Sequence, residues 1–330
     1  MKTMKISALV ADIVLVVLIV GGVIWLFAVG IPPAAWTSDR PLLPQLVDSS
    51  RILILLTAAG IVLGILAAAL LRRGPDRIVD GTVVRYRGYE RLVHWALAIG
   101  FILAFGTAAW LLRWFGLQNS EDIRPMLYVV HVIGAALIVF AATAFATSAR
   151  IRGQDALFPR WRDVGPAIAR LFGYLGVYGE PGVLGLRLRM VWLQRALAAI
   201  GIRPQKREGK FLAVEKVFSF APLAALVLIV VVTGLIKAAR YFFVVPSDVL
   251  YWTTWLHDLS TWLTLIVVGL HLAAIFLVPR NWPGIGAMLR GRISLHHVEN
   301  EFPLWADELR QREPRPATPE GVPAHGTGGD

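Results

Sequence analysis

Apolar residues along this chain collect in long unbroken runs, and six runs reach the roughly 20 residues that a helix needs to cross a hydrocarbon core. They lie at Ile6–Val29, Ile52–Leu71, Leu92–Leu112, Met126–Ser148, Val217–Ile236 and Trp252–Val278, and each predicts a transmembrane helix. The first is longer than the usual apolar core of a signal peptide and no A-x-A-like site closes it, so it reads as a retained helix. Between the fourth and fifth runs the polar residues return with helical spacing. Pro159-Arg160-Trp161-Arg162-Asp163 leads into Ile168, Leu171, Phe172 and Leu175, which predicts an amphipathic helix over Phe158–Leu175 on the membrane surface. Leu184–Ile200, with Arg187, Arg189 and Arg195, is a second candidate. From Glu313 the chain is rich in Pro, Gly and Thr and is expected to be disordered. No internal repeat is evident.

Composition points the same way. Of 330 residues, 56% are hydrophobic and 17% charged, against about 45–50% and about 25% in soluble domains. There is no cysteine, which excludes disulfides, thiolate zinc sites, cysteine-ligated iron–sulfur clusters and c-type haem attachment. The net charge of +11 would suit nucleic acid, but its distribution gives it a topological meaning. With the N-terminus inside, Arg40, Arg51, Arg113, Arg124, Lys237 and Arg240 lie outside, and the other 27 of the 33 Lys and Arg residues lie inside. This bias predicts six spans with both termini cytoplasmic and removes the case for nucleic acid.

Four of the seven histidines fall within the runs: His94, His131, His257 and His271. Ionisable groups in lipid are costly and typically functional. On the predicted topology they form two levels, His131 with His257 near the outer side and His94 with His271 near the inner side. His257 and His271 are fourteen residues apart, about 21 Å of helical rise and within about 40° of four full turns, so both project from one face. Two haems, each held between histidines of different helices, fit this arrangement. A zinc site would need four clustered ligands, and a proton relay would recruit carboxylates at intermediate depth, where the core helices carry few.

The same residues carry a family resemblance. Glu90-Arg91-Leu92-Val93-His94-Trp95, His131-Val132-Ile133-Gly134 and Pro159-Arg160-Trp161-Arg162-Asp163 come first. Gly209-Lys210-Phe211 with Glu215-Lys216, Thr233-Gly234, the His257/His271 pair, Gly291-Arg292-Ile293-Ser294 and Pro303-Leu304-Trp305 follow in order. From about Arg85 to Leu309 the chain resembles the cytochrome b (gamma) subunit of membrane-bound formate dehydrogenases, within the hydrogenase-type dihaem cytochrome b superfamily. The resemblance implies an all-α membrane protein with a four-helix core holding two b haems on His94, His131, His257 and His271. It implies electron entry from an iron–sulfur partner, a molybdenum or tungsten catalytic subunit on another chain, and a quinone (menaquinone or ubiquinone) as acceptor. A bacterial cytoplasmic membrane location follows. Residues 1–80, with two extra N-terminal helices of unknown role, have no counterpart in that core; 81–312 form the cytochrome domain and 313–330 the tail.

The family's stretch before the fifth helix reads close to Lys-Phe-Asn-Ala-Gly-Gln-Lys and helps form the quinone pocket. Here Lys210-Phe211-Leu212-Ala213-Val214-Glu215-Lys216 stands in its place, which changes the side chains available to a quinone. Lys210, Glu215, Lys216 and His271 are the expected quinone contacts, with Glu215 as proton carrier or as an ordinary acid near a helix start. Lys237 and Arg240, and Arg91 beside His94, are candidates for the haem propionates, or snorkelling residues. A [NiFe] hydrogenase or another molybdoenzyme would use the same histidine frame, and a transporter or plain membrane anchor would carry no haem.

Overall fold

The computed structural model describes residues 42–70, 76–117, 123–152, 158–205 and 207–312. The expected helix Ile6–Val29 and the expected disordered tail lie outside these residues. Among the described residues, five helices are long and apolar enough to cross a membrane: α1 (Leu42–Leu70), α2 (Gly88–Leu111), α3 (Arg124–Arg152), and later α6 (Ala213–Ala239) and α7 (Ser247–Leu277). Most run several residues beyond the apolar stretches that announce them, because helix ends continue into polar sequence such as Gly88–Arg91 and Arg124.

Within the membrane part, α2 packs on α3 and α6 packs on α7, while α3 and α6 touch only sparsely. The bundle is thus two tight hairpins facing each other. Small residues allow the tight packing. Gly100 and Gly134 bring α2 and α3 together backbone to backbone, since a Cβ on either would come within 2.8 Å of the other's carbonyl oxygen. On its other side α3 is gripped by α1. A Cβ on Gly60 would sit 3.0 Å from Ala136 O, and one on Gly64 2.7 Å from Phe140 O, the close approach that small-xxx-small spacing permits between membrane helices.

At one end of the bundle the connecting segments fold into a cap. It contains α4 (Trp161–Tyr174), α5 (Val191–Ala199), α8 (Trp282–Arg290), α9 (Leu295–Glu301) and α10 (Pro303–Arg312). A small antiparallel sheet joins them: β1 (Ile78–Val79), β2 (Thr82–Val84) and β3 (Arg292–Ser294), in that order, with Val83 opposite Ile293. The β1–β2 turn has Asp80 and Gly81 at positive φ, as the tightest hairpins require. Gly291 enters β3 at φ +86, where a Cβ would also strike Tyr86 O at 2.6 Å. The cap core comprises Val83, Tyr174, Leu212, Val278, Ile293, Val298, Phe302, Trp305 and Leu309, all buried.

Phe158–Leu175 is helical over Trp161–Tyr174, with Ala167, Ala169, Gly173 and Tyr174 buried in the protein and the apolar Leu171 and Leu175 exposed. The sequence pattern differs from the structure in two other places. The all-α expectation omits the short cap sheet. In Leu184–Ile200 only Val191–Ala199 is α-helical. Its first part is a short turn with Leu184 at φ +53.

Three helices start by one device. Glu90, Asp163 and Glu215, each at the third helical position, accept a hydrogen bond from the backbone N–H three residues earlier, on Arg87, Arg160 and Leu212, each at 2.9 Å.

Candidate functional site

The four intramembrane histidines fall at two levels of the bundle. His94, on α2, and His271, on α7, lie toward the cap; His131, near the start of α3, and His257, on α7, lie toward the far end. His131 and His257 are within electrostatic range of each other, and so are His94 and His271. On α7 the two histidines share a stripe with buried Thr253, Ser260, Thr261 and Thr264, the spacing of one helical face. The lipid-exposed side of the same helix carries Trp255, Leu259, Trp262, Ile266 and Leu270.

The far-level histidines have defined hydrogen bonds. His131 Nδ1 lies 2.9 Å from Ala104 O and 3.2 Å from Thr107 Oγ1. The Thr107 hydroxyl spends its own proton on Leu103 O at 2.6 Å. A carbonyl oxygen can only accept, so the network assigns the proton to Nδ1. His257 repeats the arrangement, with Thr233 Oγ1 at 2.9 Å and a hydrogen bond to the Val230 backbone; Thr233 in turn donates to Ile229 O at 2.6 Å. Gly234 leaves room beside the His257 ring, where a Cβ would touch Cε1 at 3.4 Å. In both residues Nε2 is left with a free lone pair, the form in which histidine binds a metal.

Between the levels lies an apolar layer of Phe101, Ala104, Ile138 and Val227, with Leu97, Phe105, Leu223, Val231 and Val268 against it. Among the described residues no three His, Asp or Glu side chains gather as a metal cluster. Paired single nitrogens from facing helices, across a sparsely packed gap, suit a group that brings four equatorial ligands of its own. Haem does so, and the donor set fits it.

The other expected site residues are placed as follows. Lys237 lies within electrostatic range of both far-level histidines and 3.9 Å from Asp258. Arg240 stays with Tyr241, its guanidinium 4.7 Å from the ring centroid. Arg91 donates to Leu289 O in the cap. Lys210 pairs with Asp76 at 2.9 Å and Lys216 approaches Asp163 at 3.9 Å. Glu215, besides its backbone bond, has Oε1 4.0 Å from Arg85 Nη2. Arg85 was not among the expected residues. It is 3% exposed, with its guanidinium carbon 4.2 Å from the Phe302 ring centroid and within reach of Tyr86 and Trp305. Nearby Glu208 is buried and accepts from Ala213 N at 3.4 Å. Burial holds its carboxyl above the usual carboxylate range, although the Ala213 N–H, Arg170 and Lys216 pull the other way.

Thr107 and the Ala104 and Val230 carbonyls are site groups that the pattern of histidines does not reveal. One signal was available: Thr107 precedes His131 by the same 24 positions by which Thr233 precedes His257.

A multi-pass helix bundle with ligand-ready histidines at two depths defines a membrane cytochrome of the b type. The profile of the prokaryotic cytochrome b561 family matches residues 85–291, and the chain belongs to that family. It is a membrane electron-transfer cytochrome that binds haem b. No curated protein and no solved structure matches the chain.

Proposed function

We propose that this chain is the quinone-reducing cytochrome b subunit of a respiratory oxidoreductase, of the formate dehydrogenase type, with two haems b. The single observation that carries the reading is the pair of histidine levels, each combining residues from both hairpins. His131 and His257 hold one haem and His94 and His271 the other. Haem supplies one-electron carriage; the chain's residues fix where electrons enter and leave. The apolar layer around Phe101, Ile138 and Val227 keeps water out between the levels, so protons do not follow electrons through the bundle.

The finer assignment to formate dehydrogenase rests on the ordered motifs from Glu90 to Trp305, the last of which lies beyond the family match. On this reading an iron–sulfur subunit, serving a molybdenum or tungsten catalytic subunit, delivers electrons at the far level. The cap faces the cytoplasm, in keeping with the basic-residue bias. Quinone meets the cap-level haem beside Lys210, Glu215, Lys216 and His271, and Glu215 hands it protons. Of the expected propionate partners, Lys237 lies within electrostatic range of the far-level histidines and Arg91 stands one helical turn from His94. A [NiFe] hydrogenase partner uses the same frame and is separated by identifying the chains that co-purify with the native protein.

Glu215 also caps a helix, so alanine there would confound two roles. Glutamine keeps an oxygen to accept from Leu212 N–H and cannot carry a proton. In the isolated native complex, Glu215→Gln is expected to slow quinone reduction and change its pH dependence, with haem reduction by the partner unchanged; loss of the charge facing buried Arg85 lowers thermal stability without touching the haems. An unchanged quinone rate and pH profile would remove Glu215 from proton delivery.

A further inference from the structure

The two membrane hairpins are copies of one design, displaced by 126 residues. Leu103 O, Ala104 O, Thr107 and His131 in α2–α3 correspond to Ile229 O, Val230 O, Thr233 and His257 in α6–α7. At the far level, therefore, both histidines have Nδ1–H committed to a carbonyl and a threonine oxygen. At the cap level the copying breaks. The same displacement carries His94 onto Phe220 and Phe145 onto His271, so one diagonal of the bundle holds histidines. The other holds Phe145 and Phe220, whose rings stack at 6.4 Å and 9°. Among the described residues, His94 and His271 have no hydrogen-bond partner on either ring nitrogen.

We infer that Thr107 and Thr233, through His131 and His257, make the far-level haem the lower-potential centre and so direct electrons toward the cap. This rests on the proposal that haem occupies both levels. An imidazole that donates Nδ1–H to an acceptor is a more basic ligand at Nε2. A more basic axial ligand favours the oxidised iron and lowers its potential. Both far-level ligands have this push, and among the described residues neither cap-level ligand has an acceptor to provide it. The nearest charge with the opposite effect is the Lys237 ammonium, and Asp258 at 3.9 Å offsets it. With haem held at both levels, this order of ligand basicity at His131 and His257 would favour transfer of one electron from the far level to the cap level, the far level being oxidised and the cap level reduced with no proton moved. Thr107 and Thr233 are positioning residues, acting only through the histidines.

The test is a spectroscopic redox titration of the purified, haem-loaded full chain. The far-level component is identified as the one missing in His131→Ala. It is expected to be the lower of the two in wild type. Thr107→Val and Thr233→Val should each raise that component alone. At its wild-type midpoint the ratio of reduced to oxidised haem should rise about two- to tenfold, the worth of one neutral hydrogen bond. The double variant should shift further, while Thr→Ser at either position, which keeps the oxygen, stays with wild type. Unmoved potentials with both haems bound, a shift in the cap-level component, or a far-level component that is the higher one would each overturn the inference. Where valine displaces the haem, alanine at the same position carries the same expectation, and haem loss in both overturns the electronic role. Absence of haem from wild type would instead overturn the underlying reading, and the haem assay shows it before any titration.

Discussion

Gly134 of α3 lies backbone to backbone against Ala104 of α2, so close that a Cβ on residue 134 would stand 2.7 Å from the Ala104 nitrogen. The carbonyl of the same Ala104 holds His131 Nδ1 at 2.9 Å. Helix spacing and ligand orientation are therefore one contact. Gly134→Val should force the hairpin open and release His131, so haem per chain falls and the far-level component is the one diminished. Haem content and potentials equal to wild type would show that this contact does not position His131.

The glycines that seat α1 make a contrasting case. Gly60 and Gly64 press on Ala136, Phe140 and Ala144 of α3, away from the Ala104–His131 contact. Gly64→Leu should destabilise the protein in detergent by about 1–3 kcal/mol of overpacking strain, seen as a lower thermal midpoint, while both haem spectra persist. Loss of a haem component in this variant would mean that α1 holds the ligand helix in place and is not merely an added layer.

Glu208 ties cap stability to pH. Its folded carboxyl titrates above the ordinary value because burial disfavours the charge. The unfolded chain ionises first, near about pH 4.3. Its contribution is thus full below that pH and falls as pH rises from there through the raised folded value. Glu208→Gln should unfold at a temperature close to wild type at pH 4 and gain on it toward pH 7. A variant that is instead less stable than wild type at pH 7 would show that the pull of Arg170 and Lys216 outweighs burial.

The five described membrane spans and the histidines within them were legible in the sequence because each signal is local: twenty apolar residues announce a helix, and an imidazole among them stands out. The hairpin copying was not, since two of the four matching groups in each hairpin are backbone carbonyls, of Leu103 and Ala104 in one and of Ile229 and Val230 in the other, which leave no trace in side-chain identity. Thr107 and Thr233 each look like an ordinary membrane threonine until placed against a histidine 24 positions on. The cap sheet escaped because strands of two or three residues are too short to show alternation. Arg85 read as one more basic loop residue; only the folding of Phe302 and Trp305 over it, more than 200 positions later, buries it.

Haem stoichiometry across the four histidine substitutions tests the account most directly. Each variant is purified as the full chain and assayed by pyridine haemochrome with a redox titration. Two b haems per wild-type chain are predicted. Alanine at His131 or His257 should abolish one and the same redox component, and alanine at His94 or His271 the other, leaving about one haem in each case. A chain without haem, or two full haems retained after any of the four replacements, would contradict the paired-level assignment.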